Sequence, residues 1–268
     1  MLSRKMAVSD IFYPENKIIL KEMIDDFFDN INQDFDIINP KALVCPHAGY
    51  IYSGQVASYS YKLLQKNIKT IPKTIVLLCP THYVDFLGVS VGLYDELETP
   101  FGNLKVDKKL GENLLTNYPE FFKTNFESQD KEHSMEVQLP LLKYIIGEQD
   151  IKILPLVFGQ INPLEIGYIL NDILKEKNVF IIVSSDLSHY KDYNTATNLD
   201  KKSINSFLSK DLKDIINNAD ACGLYPWLCL DQIAILNNWD VKLLKYLNSG
   251  DTTGSKDKVV GYSSLVYY

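Results

Sequence analysis

Two features of the 268-residue chain point to a layered α/β fold. Short uninterrupted apolar runs, rich in β-branched residues, recur along it, and stretches with helical apolar spacing lie between them. Runs without alternation suit strands covered on both faces, as in parallel sheets. Strands alternating with helices build layered domains. A third feature ties this fold to chemistry: three of the four histidines follow directly on an expected strand.

The elements follow in order. Ile18–Phe28 has helical spacing. Ala42-Leu-Val-Cys45 is the first buried strand. Ser53 reads as an N-cap, and Val56, Tyr59, Leu63 and Leu64 mark the helix after it. Thr74–Cys79 is the second strand. Leu93–Val106, containing Thr99-Pro-Phe-Gly102, reads as a hairpin or loop excursion. Ile151–Phe158 is a strand candidate weakened by Pro155. Leu164–Lys175 reads as a helix that Pro163 starts. Val179–Val183 is the third strand. Lys201–Leu212 and Asp231–Leu247 read as helices, and Lys258–Tyr267 as a terminal strand. No repeat, low-complexity stretch or linker divides the chain, so residues 1–268 read as one domain.

Composition narrows the partners. The chain is 46% hydrophobic and 23% charged, with a net charge of −7, too apolar for a disordered protein. A chain of this length buries roughly three-quarters of its extended surface. The acidic balance gives no electrostatic footprint for nucleic acid or an anionic membrane. The N-terminus lacks the apolar core of a signal peptide, and no window reaches a membrane span of about 18 apolar residues. Four cysteines are no disulfide framework at this length, so a reduced, cytoplasmic protein is the expectation.

The histidines carry the functional signal. Ala42–Cys45 runs into Pro46-His47-Ala-Gly-Tyr50, Thr74–Cys79 into Pro80-Thr81-His82-Tyr83, and Val179–Val183 into Ser184-Ser-Asp186-Leu-Ser-His189. In open α/β sheets ligands bind at the carboxyl ends of parallel strands. Neighbouring parallel strands would therefore bring His47, His82, Asp186 and His189 to one pocket, as metal ligands or acid/base groups. One histidine after a strand is more often a hydrogen-bonded loop residue; three in the same topological position favour function. Asp186 and His189, three residues apart, share a face if their segment is helical. His133 lies in Lys131-Glu-His-Ser-Met-Glu-Val-Gln-Leu-Pro140, where Glu132, Glu136 and Gln138 can serve as helix-start and solvating residues. Cys45, Cys79 and Cys229 read as core. Cys222 sits in the small-residue stretch Asn218-Ala-Asp-Ala-Cys-Gly-Leu-Tyr-Pro-Trp227, where a helix start can stabilise a thiolate.

Together these segments resemble the signature blocks of the Memo family, called AmmeMemoRadiSam system protein B in microbes. Pro46-His-Ala-Gly-Tyr-Ile-Tyr-Ser-Gly54, Pro80-Thr-His82, Glu132-His-Ser-Met-Glu-Val-Gln-Leu-Pro140, Ser184-Ser-Asp-Leu-Ser-His-Tyr190 and Ala221-Cys-Gly223 occur in the family's order, with Phe12-Tyr-Pro14 and Thr99-Pro-Phe-Gly102 beside them. The resemblance implies a single three-layer α/β/α domain with a mostly parallel or mixed central sheet, similar to class III extradiol dioxygenases. It implies a metal site on His47, His82 and Cys222 holding Fe(II) or a Cu ion, with Zn a further candidate. Asp186 and His189 match other pocket positions. It also implies a shared pathway with an AMMECR1-like protein and a radical SAM protein. Cys222 stands where the dioxygenases carry a glutamate, so ring cleavage is not expected of this chain.

These observations favour a metal-dependent redox enzyme acting on an unknown small-molecule substrate. In that reading His189, oriented by Asp186, exchanges protons and His133 lines the pocket. The alternative is a non-catalytic phosphopeptide or metal-trafficking adaptor using the same pocket, but Arg4 is the only arginine and bidentate phosphate recognition is scarcely supplied. A hydrolase built on Ser185, Asp186 and His189 is a third class; triads normally draw their members from separate loops. A Cys222 thiol hydrolase needs an adjacent imidazole.

Overall fold

The computed structural model describes residues 2–177 and 179–268. Its main sheet contains β1 (Ala42–Cys45), β2 (Thr74–Pro80), β3 (Val89–Val91), β4 (Phe122–Lys123), β5 (Lys152–Phe158), β6 (Phe180–Ser184), β7 (His189–Lys191), β8 (Val241–Asn248) and β9 (Val259–Tyr267). Their spatial order is β7-β9-β1-β6-β2-β5-β3-β4, with β8 also paired to β9. The central four strands, β1, β6, β2 and β5, run parallel. Antiparallel pairings join β9 to β1 and β3 to β5. The sheet is therefore mixed around a parallel centre.

The parallel strands form because they are apolar on both faces. Every residue of β1 and β6 is buried, and all of β2 beyond Thr74. Each buried Val, Leu or Ile contributes roughly 1.5–3 kcal/mol, and burial on both faces requires helices on both. One helical layer contains α1 (Lys17–Asp29), capped by Asn16, and α2 (Tyr50–Asn67). The other contains α3 (Pro163–Lys177), α4 (Tyr193–Ser209) and α5 (Leu224–Leu236). Strand β9 shows both layers: the Ser264 hydroxyl donates to the Val56 carbonyl of α2, while Gly261 faces Asp200 of α4. The architecture is α/β/α.

Several local readings change. The stretch Asp231–Leu247 is not one helix: α5 stops at Leu236, Asn238 takes a left-handed φ of 53°, and the chain returns as β8. Asn tolerates that conformation, so Asn237-Asn238 is a turn signal. Ser53 is no N-cap, because α2 starts at Tyr50 behind Gly49, and Ser53 donates to the Ala48 carbonyl. Helix α4 starts at Tyr193 behind the capping Asp192, earlier than Lys201. Pro155 does sit in a strand, and its carbonyl accepts from Gly92 N–H. Leu93–Val106 does contain a hairpin, Glu96–Leu97 against Leu104–Lys105. Among the described residues no helix is long and apolar enough to cross a membrane.

Candidate metal centre

Strands β1, β6 and β2 lie side by side and end at Cys45, Ser184 and Pro80. His47, Asp186 and His82 each stand two residues past those ends, so the parallel sheet delivers them to one edge. The loop before α5 closes on the same edge. Cys222 N–H donates to the Asp186 carbonyl (3.2 Å) and Gly223 N–H to Ser185 Oγ (3.0 Å). A Cβ at Gly223 would stand 2.7 Å from the Ser184 carbonyl oxygen, so only glycine lets the loop approach this closely. The Cys222 sulfur lies 3.2 Å from His47 Nε2, and the ligand atoms of His47, His82 and Cys222 all lie within 4.8 Å of one another.

The surrounding hydrogen bonds fix which ring nitrogens are free. Gln138 Nε2 donates to the Pro46 carbonyl (2.9 Å) and to Ser184 Oγ (2.8 Å). Ser184 gives its single proton to the Ser134 carbonyl (2.7 Å). Its remaining lone pair can only accept, so His47 Nδ1 is protonated toward it (2.9 Å) and Nε2 is bare on the sulfur side. His82 Nδ1–H donates to Glu132 Oε1 (2.8 Å), which leaves Nε2 as the nitrogen open to a cation. Partners of this kind orient imidazole ligands and choose their tautomer.

Glu132 is buried but surrounded by donors: it also accepts from His82 N–H (2.7 Å) and Ser134 N–H (3.0 Å). Burial alone would raise its carboxyl pKa; the His82 hydrogen bond and charge and the two backbone N–H groups overcome that and hold it down at about 2. Burial, then the charge of neighbouring His82, pushes His47 well below the usual imidazole range. Burial with His47 and His82 lowers His133 to about 4. Burial and the Asp186 charge raise the Cys222 thiol, so without a cation it stays protonated. Asp186 N–H points at the sulfur from 3.2 Å, a donor suited to a thiolate once a cation displaces the proton.

This donor set fits one soft or borderline transition-metal ion. Metal–nitrogen bonds of about 2.0–2.1 Å and metal–sulfur bonds of about 2.3 Å put tetrahedral ligand atoms roughly 3.3–3.6 Å apart. The atoms here need only small side-chain shifts to reach that spacing. His133 packs beside the cluster: its ring centroid is 4.4 Å from His82 and 5.3 Å from His47, and Tyr83 OH lies 3.0 Å from its Nδ1. His82, Glu132 and His133 form a second group with ligand atoms close enough to share an ion.

Asp186 and His189 meet the site differently from the spacing argument. Their segment is not helical; Asp186 Oδ1 accepts His47 N–H (2.7 Å), and His189 Nδ1 donates to the Leu187 carbonyl (2.7 Å). Asp186 therefore holds the His47 backbone rather than the His189 ring. Ser185 Oγ donates to the Asp186 carbonyl and accepts Gly223 N–H, so Ser185, Asp186 and His189 form no triad. His133, Asp186 and His189 line a cleft of about 440 Å³, walled by Phe12, Tyr52 and Tyr262.

Some supporting residues escaped the sequence reading. Arg4 is buried, pairs with Glu136 and donates to the Gln129 and Glu132 carbonyls, clamping the turn that presents Glu132 and His133. Glu136 also accepts Ala7 N–H, Val8 N–H and Tyr13 OH. Glu136 and Gln138 are thus internal struts, not solvating residues. That Arg4 is the only arginine was the one available signal for it.

The sequence profile of the Memo-like protein family matches residues 4–266. The chain is 35% identical to a MEMO1 family protein of Pyrobaculum arsenaticum, covering 100% of both chains. It is 33% identical to one of Aquifex aeolicus over 100% of both, and 34% identical to one of Methanosarcina mazei over 99% of both. Among solved structures, an uncharacterized protein from Escherichia coli K12 is similar with a TM-score of 0.54 at 15% identity, covering 85% of this chain and 99% of that one. That likeness speaks to the fold alone. The signature blocks, the strand-end geometry and these full-length relatives lead to one assignment: the chain belongs to the Memo-like protein family.

Proposed function

We propose that this protein holds a single transition-metal ion on His47 Nε2, His82 Nε2 and Cys222 Sγ, and acts as a metal-dependent redox protein on a small substrate bound in the adjoining cleft. The observation that carries the reading is that ring nitrogens of both histidines lie within 4.8 Å of one sulfur, while the Nδ1 of each is already committed to Ser184 or Glu132. Two imidazoles and a thiolate suit copper(I) or zinc by softness, and iron(II) also accepts thiolate. Bound there, iron or copper supplies one-electron chemistry, whereas zinc supplies Lewis acidity. Around it, His189 commits Nδ1–H to the Leu187 carbonyl and keeps Nε2 for a substrate proton. His133, neutral near pH 7, lines the same cleft.

An anion-binding adaptor fits less well. The only guanidinium, that of Arg4, is buried against Glu136.

Metal analysis of protein purified without chelator tests the proposal, repeated on His47→Ala and Cys222→Ser. Wild type should carry iron, copper or zinc at close to one ion per chain, and both variants should lose most of it. Equal metal in all three preparations would defeat the proposal.

A further inference from the structure

Two clefts adjoin the candidate centre and share no lining residue. The larger is the His133–His189 cleft. The smaller, about 240 Å³, lies between the ends of β2 and β5 and the start of α5, bordered by Thr81, Asp85, Gln160, Cys222 and Tyr225. Of the three ligand residues, only Cys222 borders either cleft, and it borders the smaller. His82, whose side chain is 26% exposed, follows Thr81 of the smaller cleft and packs against His133 of the larger.

The clefts differ in charge. Among the described residues, Asp85 is the one charged residue bordering the smaller cleft. Gln160 Nε2 donates to both of its carboxylate oxygens (2.9 and 3.1 Å), which holds that carboxylate in place at the mouth. The larger cleft carries the exposed Lys258 on its rim, and its carboxylate, Asp186, is buried and bound to His47 N–H. A fixed charge beside a narrow groove concentrates counter-ions and raises their association rate, an effect that salt screens. The smaller cleft is thus arranged to attract cations, and the rim of the larger one to repel them.

We propose that the smaller cleft is the path by which a soft transition-metal cation reaches Cys222, so that ion exchange does not require an empty substrate cleft. The inference rests on the metal reading above. Asp85 collects the ion at the mouth, and the Cys222 sulfur is its first ligand.

Metal-free protein gives the first test. Cys45, Cys79 and Cys229 are buried, which leaves Cys222 as the accessible thiol. At alkaline pH the ionised fraction of this thiol displaces iodide from iodoacetamide, and peptide mass spectrometry locates the adduct. Gln160→Trp, which fills the smaller mouth, should slow this alkylation by roughly fivefold or more, and Tyr190→Trp on the larger rim should change it by less than about twofold. Slowing by Tyr190→Trp, or none by Gln160→Trp, overturns the path.

Cobalt(II) association, followed by the sulfur-to-cobalt charge-transfer absorption, gives the second. At low ionic strength Asp85→Lys should reduce the association rate constant by about tenfold, with the difference shrinking in high salt, while Lys258→Glu leaves it unchanged. If the absorption appears but Asp85→Lys associates as fast as wild type, the path is wrong and the metal reading stands. If wild type never develops the absorption, the metal reading itself fails, and the path with it.

Discussion

His47 and His82 each bring a ring nitrogen within 4.8 Å of the Cys222 sulfur, but they are held by opposite chemistry. The His47 ring is buried and leans on a neutral hydroxyl, Ser184, whose other bonds go to Gln138 and Ser134. The His82 ring keeps a quarter of its surface in solvent and leans on a carboxylate, Glu132. A charge-assisted hydrogen bond is roughly twice as strong as a neutral one. The dry pocket obliges His47 to stay neutral. The two strand ends therefore hold one imidazole near the surface on a carboxylate and one in the interior on a hydroxyl.

The largest expected effect breaks the His82 side of that contrast. In Glu132→Gln, one of the two carboxylate oxygens becomes an NH2. Both oxygens now accept from donors, His82 N–H on one side and His82 Nδ1–H with Ser134 N–H on the other. Whichever way the amide turns, donor faces donor. Zinc affinity, measured by competition with a chromophoric chelator, should fall by roughly 10–100-fold. Unchanged affinity would mean that Glu132 only caps the helix start at His133.

Acidification in the presence of chelator probes the buried side. The pKa values of His47 and His133 are lowered in the fold, His133 to about 4 from an ordinary value of 6.5. Below pH 6.5 the unfolded chain therefore binds protons that the folded chain refuses, and stability falls as pH drops. Glu132 does not act in this window, since its contribution is lost only as pH falls from 4.5 toward about 2. Between pH 7 and pH 5 the loss traceable to His133 should be about 1–2 kcal/mol. Thermal melts across that range should show it, and His133→Asn should flatten the slope. A variant with the same slope as wild type would show that His133 does not carry this proton linkage.

Much of the fold was legible because burial on both faces leaves an unmistakable mark: β1, β2 and β6 are continuous apolar runs, and the residues two past their ends fall on one sheet edge by topology alone. Strand β8 was not legible. Val241, Leu243, Leu244, Tyr246 and Leu247 fit a helical period as well as an extended one, and only the Asn237-Asn238 turn separates them from α5. At the site, His47 and His82 announced themselves by position. Cys222 was marked mainly by family resemblance, since 175 residues separate it from the His47 nitrogen it faces. The supporting residues were the least visible. Ser184 lies 137 residues from His47, and Arg4 lies 132 from Glu136, so no local pattern couples them. Glu132 looked like a helix-start residue because it is one; its second task, holding His82, appears only when the 80–83 loop is packed against it.

The smallest effect sharpens the contrast from the His47 side. Ser184→Ala removes a hydroxyl that accepts from His47 Nδ1–H and Gln138 Nε2 and donates to the Ser134 carbonyl. His47 loses the partner that fixes its tautomer, yet no charge is lost, and Nε2 stays near the sulfur because Asp186 still holds the His47 backbone N–H. A neutral hydrogen bond is worth about 0.5–1.5 kcal/mol net, so zinc affinity should drop only a few-fold. The folded state should lose more, about 1–3 kcal/mol, because buried donors on His47 and Gln138 are left unpaired. The expected signature is thus a lowered melting temperature with metal binding nearly intact, the reverse of Glu132→Gln. If Ser184→Ala weakens zinc as much as Glu132→Gln does, the hydroxyl and the carboxylate are equivalent supports, and the distinction between the interior and the surface imidazole is lost.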